Sequence, residues 1–232
     1  IFISGKFDQF QKNVPYSALK QAFSAWIQYA LSLDDLALET LSKELVSDLG
    51  VNARVLIDFH DSFELLLGSL APVPVLGPKE TQNRFHLTMQ RFIQLVTQQR
   101  PFVIFIDDLQ WADRGTLNLL SALMNVGHDA VINTDKNGPE TSPCRLLVLV
   151  AYRDNEVDHN HPAKQTLARI HQTSHNASTI NLPPLTIDQV NQLLVDAVHQ
   201  SPEAALPLAE LVQQKTGGNP FFINEFLKTL YS

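Results

Sequence analysis

The stretch that most constrains this chain is Pro101-Phe-Val-Ile-Phe-Ile-Asp-Asp-Leu-Gln-Trp-Ala-Asp113. Its β-branched and aromatic run has no polar break, which predicts a strand buried on both faces, as in a parallel sheet covered by helices. Asp107 and Asp108 then arrive together where the run ends. In an open α/β sheet the carboxyl ends of the strands are where ligands bind. An apolar strand closed by Asp-Asp therefore carries two negative charges, on a rigid support, to the mouth of a nucleotide site.

Within that pattern Asp107 can hold Mg²⁺, directly or through water, and Asp108 can polarise an attacking water. This is the shape of a Walker B motif. Asp is also a favoured helix cap, so Asp108 or Asp113 can equally serve a helix that follows. Asp113 is expected to cap a helix over Thr116–Met124.

Bulk properties narrow the function classes. The chain has 232 residues and 44% hydrophobic content, enough for one domain and part of another. No window approaches about 18 uninterrupted apolar residues, so no membrane span is expected. The net charge of −7 argues against a nucleic-acid partner, which needs clustered Lys and Arg. The single cysteine, Cys144, cannot form an internal disulfide and fits a reducing cytoplasm. The first residue, Ile1, falls inside an apparent strand, so the chain reads as an N-terminally truncated piece.

The strand Ile1–Ile3 leaves through Ser4-Gly5 into a polar exit, Lys6-Phe-Asp-Gln9. Gly5-Lys6 is not a phosphate-binding loop. That cradle needs G-x-x-x-x-G-K-[ST], and the pattern occurs nowhere in the sequence. Asn13 and Pro15 suggest the start of a helix on which Tyr16, Leu19, Phe23, Trp26, Ile27 and Ala30 share a face. A second helix is expected from Ser32-x-x-Asp35 to Gly50, and a third over Ala53–Leu67. Pro72–Pro78 reads as a stiff connection, followed by a long helix with Phe85, Met89, Phe92, Ile93 and Val96 on one side. Residues 13–97 thus form a helical insertion between two strands.

The turn-rich segment Gly127–Pro143 is expected to be a surface loop. Leu146–Ala151 predicts a third buried strand, leaving at Tyr152-Arg153-Asp154-Asn155-Glu156. At that position Arg153 can sense a γ-phosphate, or it can simply pair with Asp154 or Glu156. A helix over Ala163–Gln172 and a short strand, Thr179–Leu182, are expected next. From Thr186 onward the pattern is helical only. Thr186-x-x-Gln189 is a capping box, Pro207 is expected to divide a helix begun at Ser201, and Asn219-Pro220 open a last helix burying Phe221, Phe222, Phe226 and Leu227. His159, His161, His171 and His175 read as solvated surface residues, since no glutamate or cysteine pattern supports a metal site.

Four segments together resemble one family. They are Ser4–Gln11, Phe105–Asp113, Ala151–Val157 and Lys215-Thr-Gly-Gly-Asn-Pro-Phe-Phe222. The resemblance is to the AAA-like, STAND-class ATPase region of large multi-sensor signalling kinases, which carry serine/threonine kinase, sensor and histidine kinase modules. It implies a P-loop NTPase-like α/β domain over residues 1–184, missing its first strand and phosphate loop, and the start of a helical lid over residues 185–232. The missing strand would lie between those led by Leu146 and Thr179.

By the same resemblance, Asp107 would be the metal residue, Asp108 and Arg153 the catalytic and sensor residues, and Gly218, Asn219 and Pro220 the lid motif against the adenine. ATP and Mg²⁺ are the implied cofactors. The implied partners are adjoining kinase and sensor domains of the same polypeptide, with self-association a further expectation. The function so implied is an ATP-binding, ATP-hydrolysing regulatory switch in a cytoplasmic signalling kinase, with the present piece inactive alone. The alternative is a protein-interaction scaffold with vestigial ATPase features, using residues 13–97 as its surface.

Overall fold

The computed structural model describes residues 1–10, 14–124, 144–174 and 176–231. The chain divides into two compact units, Ile1–Ala177 and Ser178–Ser232.

The first unit is built on a parallel sheet in the order β1 (Phe2–Lys6), β2 (Phe102–Asp107), β3 (Leu146–Val150). Phe2 to Lys6 align with Val103 to Asp107, and Phe102 to Ile106 align with Leu146 to Val150. The Asp-bearing strand is therefore central among the described strands. On one face Ile3, Ile104 and Ile106 are fully buried. On the other, Phe2, Leu147 and Leu149 are exposed.

Helix α1 (Ser17–Leu31) lies against β1, and the fit depends on Gly5. A Cβ there would stand 1.8 Å from the Ala18 carbonyl oxygen, so only glycine permits the approach. Leu19, Phe23, Trp26, Ile27 and Ala30 are all buried, as their spacing requires. The helix begins at Ser17 rather than at a cap on Asn13, a residue outside those described. Tyr16 occupies the cap position with φ 61° and offers no side-chain cap.

Helix α2 (Asp35–Leu49) is capped by Asp34, whose carboxylate accepts from the Ala37 N–H, and ends at Gly50 with φ 55°. The expected third helix is in fact two, α3 (Ala53–Phe59) and α4 (Phe63–Leu67). The chain turns extended at His60, and the His60 Nδ1 accepts from the Ser62 N–H, which interrupts the helical ladder. Helix α5 (Pro78–Gln99) buries Met89, Phe92, Ile93 and Val96. The Phe92 ring meets Trp26 edge-on at 4.9 Å between centroids and packs on Phe23 and Phe63 as well. Such aromatic pairs add about 0.5–1.5 kcal/mol beyond simple burial, so this cluster holds α1, α4 and α5 of the insertion together.

Helix α6 (Arg114–Met124) starts two residues before its expected first residue, because Asp113 caps it from just outside. The expected surface loop Gly127–Pro143 lies outside the described residues. Helix α7 (Pro162–Thr173) is capped by His161, whose Nδ1 accepts from the Ala163 N–H. That histidine has a structural duty the sequence did not reveal. Thr179–Leu182 forms no strand, contrary to expectation, and Ile180 and Leu182 are exposed. A strand needs a partner edge to satisfy its N–H and C=O groups, and no strand ladder is formed over these four residues.

The second unit packs α8 (Ile187–Val198), α9 (Pro202–Thr216) and α10 (Pro220–Tyr231) around Val190, Leu194, Ala205, Ala209, Val212 and Ile223. The capping box is present in full. Thr186 Oγ1 accepts from the Gln189 N–H, and Gln189 Oε1 accepts from the Thr186 N–H. Pro207 does not divide its helix, and α9 runs through it unbroken. The proline and Glu203, whose carbonyl loses its helical donor, are both exposed near the start of the helix, where water satisfies the group. On α10 the buried residue is Ile223, with Phe226 and Leu227 partly buried beside it. Phe221 and Phe222 are 67% and 56% exposed, because the helical period that buries Ile223 turns both away from the core.

Candidate functional site

Asp107 is the last residue of β2, and Asp108 turns the chain sharply with φ 53° and ψ 45°. Few residues other than glycine enter this left-handed region, though Asp tolerates it better than most. Two hydrogen bonds hold the turn. The Asp108 N–H donates to Asp107 Oδ1 at 2.9 Å, and the Leu109 N–H donates to the Ala151 carbonyl at 2.9 Å, tying the loop to the end of β3. Asp108 caps no helix with its side chain, so its carboxylate is left for other partners.

Those partners are cations and one amide. Lys6 Nζ lies 2.8 Å from Asp107 Oδ2 and 2.8 Å from Asp108 Oδ2. Gln110 Nε2 donates to Asp108 Oδ1 at 2.9 Å. The Arg153 Nε lies 3.8 Å from the same Oδ1, close enough for an ion pair and too long for a hydrogen bond. Only 7% of the Asp108 side chain is exposed. Burial alone would push its carboxyl upward, but the bonds from Lys6 and Gln110 and the charges of Lys6 and Arg153 prevail. The result is a carboxyl held below its ordinary value of 3.8. The Lys6 ammonium moves the other way, raised above 10.5 chiefly by its bond to Asp107.

Arg153 emerges just past β3 and is held from three sides. Its backbone N–H donates to Gln110 Oε1 at 3.3 Å, its Nη1 pairs with Glu156 Oε1 at 3.0 Å, and its guanidinium lies 5.8 Å from the Trp111 ring centre. The Glu156 pairing and the approach to Asp108 thus coexist. Asp107, Asp108 and Arg153 come together at the carboxyl end of the sheet. Two further members, Lys6 and Gln110, were not anticipated from sequence. Lys6 looked like a polar exit because nothing local shows which residue it faces across the sheet. Gln110 is buried between Asp108 and Arg153, and a lone amide beside two acids carries no local signal of that role.

Gly218, Asn219 and Pro220 belong to the second unit, where each has a local role. Gly218 has φ 78°, and a Cβ on it would meet the Leu185 carbonyl oxygen at 2.2 Å. Its own carbonyl accepts from the Leu185 N–H at 2.8 Å. Asn219 Oδ1 accepts from the Phe221 and Phe222 N–H groups, and Pro220 fills the first turn of α10.

Among the described residues no three His, Cys, Asp or Glu side chains are grouped to hold a metal ion. No helix among them is long and apolar enough to cross a membrane. Two carboxylates with an ammonium seated between them nevertheless form a donor set that accepts a cation. Such a pair suits Mg²⁺, which keeps waters and takes phosphate oxygens alongside one or two carboxylates.

A parallel sheet with helices, and acids at the end of its central strand, defines an α/β domain consistent with P-loop NTPases. The chain belongs to the AAA ATPase domain family, which matches residues 1–133. It is also 29% identical, over 280 aligned positions, to Hybrid signal transduction histidine kinase G of Dictyostelium discoideum. That alignment covers 99% of this chain and 8% of the relative, so the chain spans a small part of that protein's length. No solved structure matches the chain.

Proposed function

We propose that this chain is the metal-binding and sensor part of a STAND-class, ATP-binding regulatory switch in a cytoplasmic signalling kinase. The observation that carries the reading is the Asp107–Asp108 pair, set at the carboxyl end of a central parallel strand with a cation already between the two side chains. Membership of the AAA ATPase domain family supports nucleotide use, and the hybrid histidine kinase relative supports a signalling context. Bound Mg²⁺ would neutralise phosphate charge and fix the phosphate oxygens in place.

The chain's own residues divide the remaining work. Asp107 and Asp108 hold the cation, and the second is also placed to orient a water. Gln110 fixes the rotamer of Asp108 and the backbone of Arg153 together, so the three move as one group. Arg153 offsets charge that develops on a terminal phosphate. Gly218, Asn219 and Pro220 would be the nucleotide-binding residues of the second unit, as the resemblance to the family implies. Nucleotide state would pass to adjoining kinase and sensor domains, or between copies of the protein, through contacts that differ between two nucleotide states.

The test is made in the whole polypeptide that carries this domain, with Asp107→Asn and Asp108→Asn introduced together. Binding of a fluorescent ATP analogue with Mg²⁺, and phosphotransfer output, are measured side by side. Both are expected to lose their nucleotide dependence. Output that stays unchanged would instead make the domain an interaction scaffold.

A further inference from the structure

The four carboxylate oxygens of Asp107 and Asp108 are not equivalent. Asp107 Oδ1 is engaged by the Asp108 N–H and Asp108 Oδ1 by the Gln110 amide, so one oxygen of each acid is committed to the protein. The two remaining oxygens, Asp107 Oδ2 and Asp108 Oδ2, both face Lys6 Nζ at 2.8 Å. A cation that exchanges with the ammonium takes those two atoms first. Lys6 comes to them from β1, where it aligns with Asp107 in the ladder, and 59% of its side chain is exposed. Its ammonium is held by the acids rather than by packing.

We propose that Lys6 is a built-in counter-ion that occupies the divalent-metal position and competes with the metal for Asp107 Oδ2 and Asp108 Oδ2. This rests on the reading of the acid pair as a metal site. With the metal absent, the ammonium keeps two adjacent carboxylates from repelling each other and preserves the turn at Asp108. A divalent ion enters by displacing it, and the mostly exposed side chain swings into water at little cost. Lys6 acts through the acids, so it is a positioning residue that sets the threshold of metal concentration.

Binding of Mn²⁺ alone to the 232-residue chain, read from the loss of the free-ion paramagnetic resonance signal, tests this without any turnover. The lysine end of both pairs is exposed, which keeps each pair weak, so removing them in Lys6→Met is expected to tighten Mn²⁺ by about threefold to thirtyfold. Lys6→Arg keeps a cation in place and is expected to bind Mn²⁺ no more tightly than the parent, since a guanidinium is always charged and also pairs with carboxylates. Circular dichroism confirms that each variant is folded. If Lys6→Met binds Mn²⁺ no more tightly, while Asp107→Asn with Asp108→Asn abolishes binding, the competition is refuted and the metal site stands. If binding survives loss of both acids, the metal reading itself falls, and this proposal with it.

Discussion

The carboxylate of Asp113 accepts the backbone N–H of Tyr16 at 2.9 Å, across 97 residues of sequence. The same Oδ2 accepts from Thr116 Oγ1, while Oδ1 accepts from the Thr116 N–H as the cap of α6. One side chain therefore starts α6 and pins the left-handed residue ahead of α1. In Phe105–Asp113 the first two acids face Lys6, and the last is architecture.

Asp113→Ala is accordingly expected to lower the stability of the first unit by about 1–3 kcal/mol, through a lost cap and an orphaned N–H at Tyr16. Asp113→Asn keeps one acceptor oxygen and is expected to lose less. Urea denaturation measures both. Wild-type stability in the alanine variant would show that neither contact matters.

Much of this architecture can be read from local pattern. The apolar run of β2, the faces of α1 and α5 and the Thr186 capping box depend on neighbours within a turn or two, and each appears in place, although β2 is fully buried on one face only and half-buried on the other. What escaped depends on distant residues. Lys6 meets Asp107 only because parallel register aligns β1 with β2, and no local signal encodes that pairing. The expected strand at Thr179–Leu182 failed because its alternation says nothing of whether a partner edge is present. Phe221 and Phe222 misled because a helix period locates a face only when its centre is known, and Ile223 is that centre.

Gly218 and Gly217 provide a controlled comparison within the second unit. Both have positive φ, at 78° and 61°, but a Cβ on Gly217 meets nothing within 4 Å, whereas on Gly218 it strikes the Leu185 carbonyl at 2.2 Å. Gly217→Ala is expected to cost about 1–2 kcal/mol from left-handed strain alone. Gly218→Ala adds displacement of the Leu185 segment and is expected to cost more than its neighbour. Hydrogen exchange of amides in α8 to α10 reads the difference. Equal protection in the two variants would remove Gly218 from the packing of this unit.

Stability is expected to fall as pH drops below neutrality because of two histidines. Burial lowers His60 and His86 from the ordinary 6.5, and Lys20 lowers His60 further. His60 Nε2 lies 2.7 Å from Ser24 Oγ, while His86 Nε2 is buried and has no hydrogen-bond partner among the described residues. A depressed folded value means that the unfolded chain binds more protons just below 6.5. The stabilisation is therefore complete above 6.5 and is lost as pH falls from there through the lower folded values. Urea midpoints from about pH 7.5 to about pH 5.5 are expected to decline, and His86→Leu to flatten part of the slope. A slope unchanged in His86→Leu would assign the effect elsewhere.

The acid pair holds a cation but gives no grip on a triphosphate. Backbone N–H groups and the lysine of G-x-x-x-x-G-K-[ST] supply that grip in phosphate loops, and none of the 232 residues forms the pattern. The two basic side chains at the site, Lys6 and Arg153, are both paired with carboxylates, so phosphate would have to break those pairs to use them. The 232-residue chain is thus expected to bind MgATP more weakly than about 0.1 mM and to release no phosphate above the buffer rate, since affinity near about 1 µM needs roughly 8 kcal/mol. Isothermal titration at increasing protein concentration makes the measurement. Saturating heat in the micromolar range would mean that the phosphates are held by groups other than a phosphate loop, with Lys6→Met and Arg153→Ala the first variants to locate them.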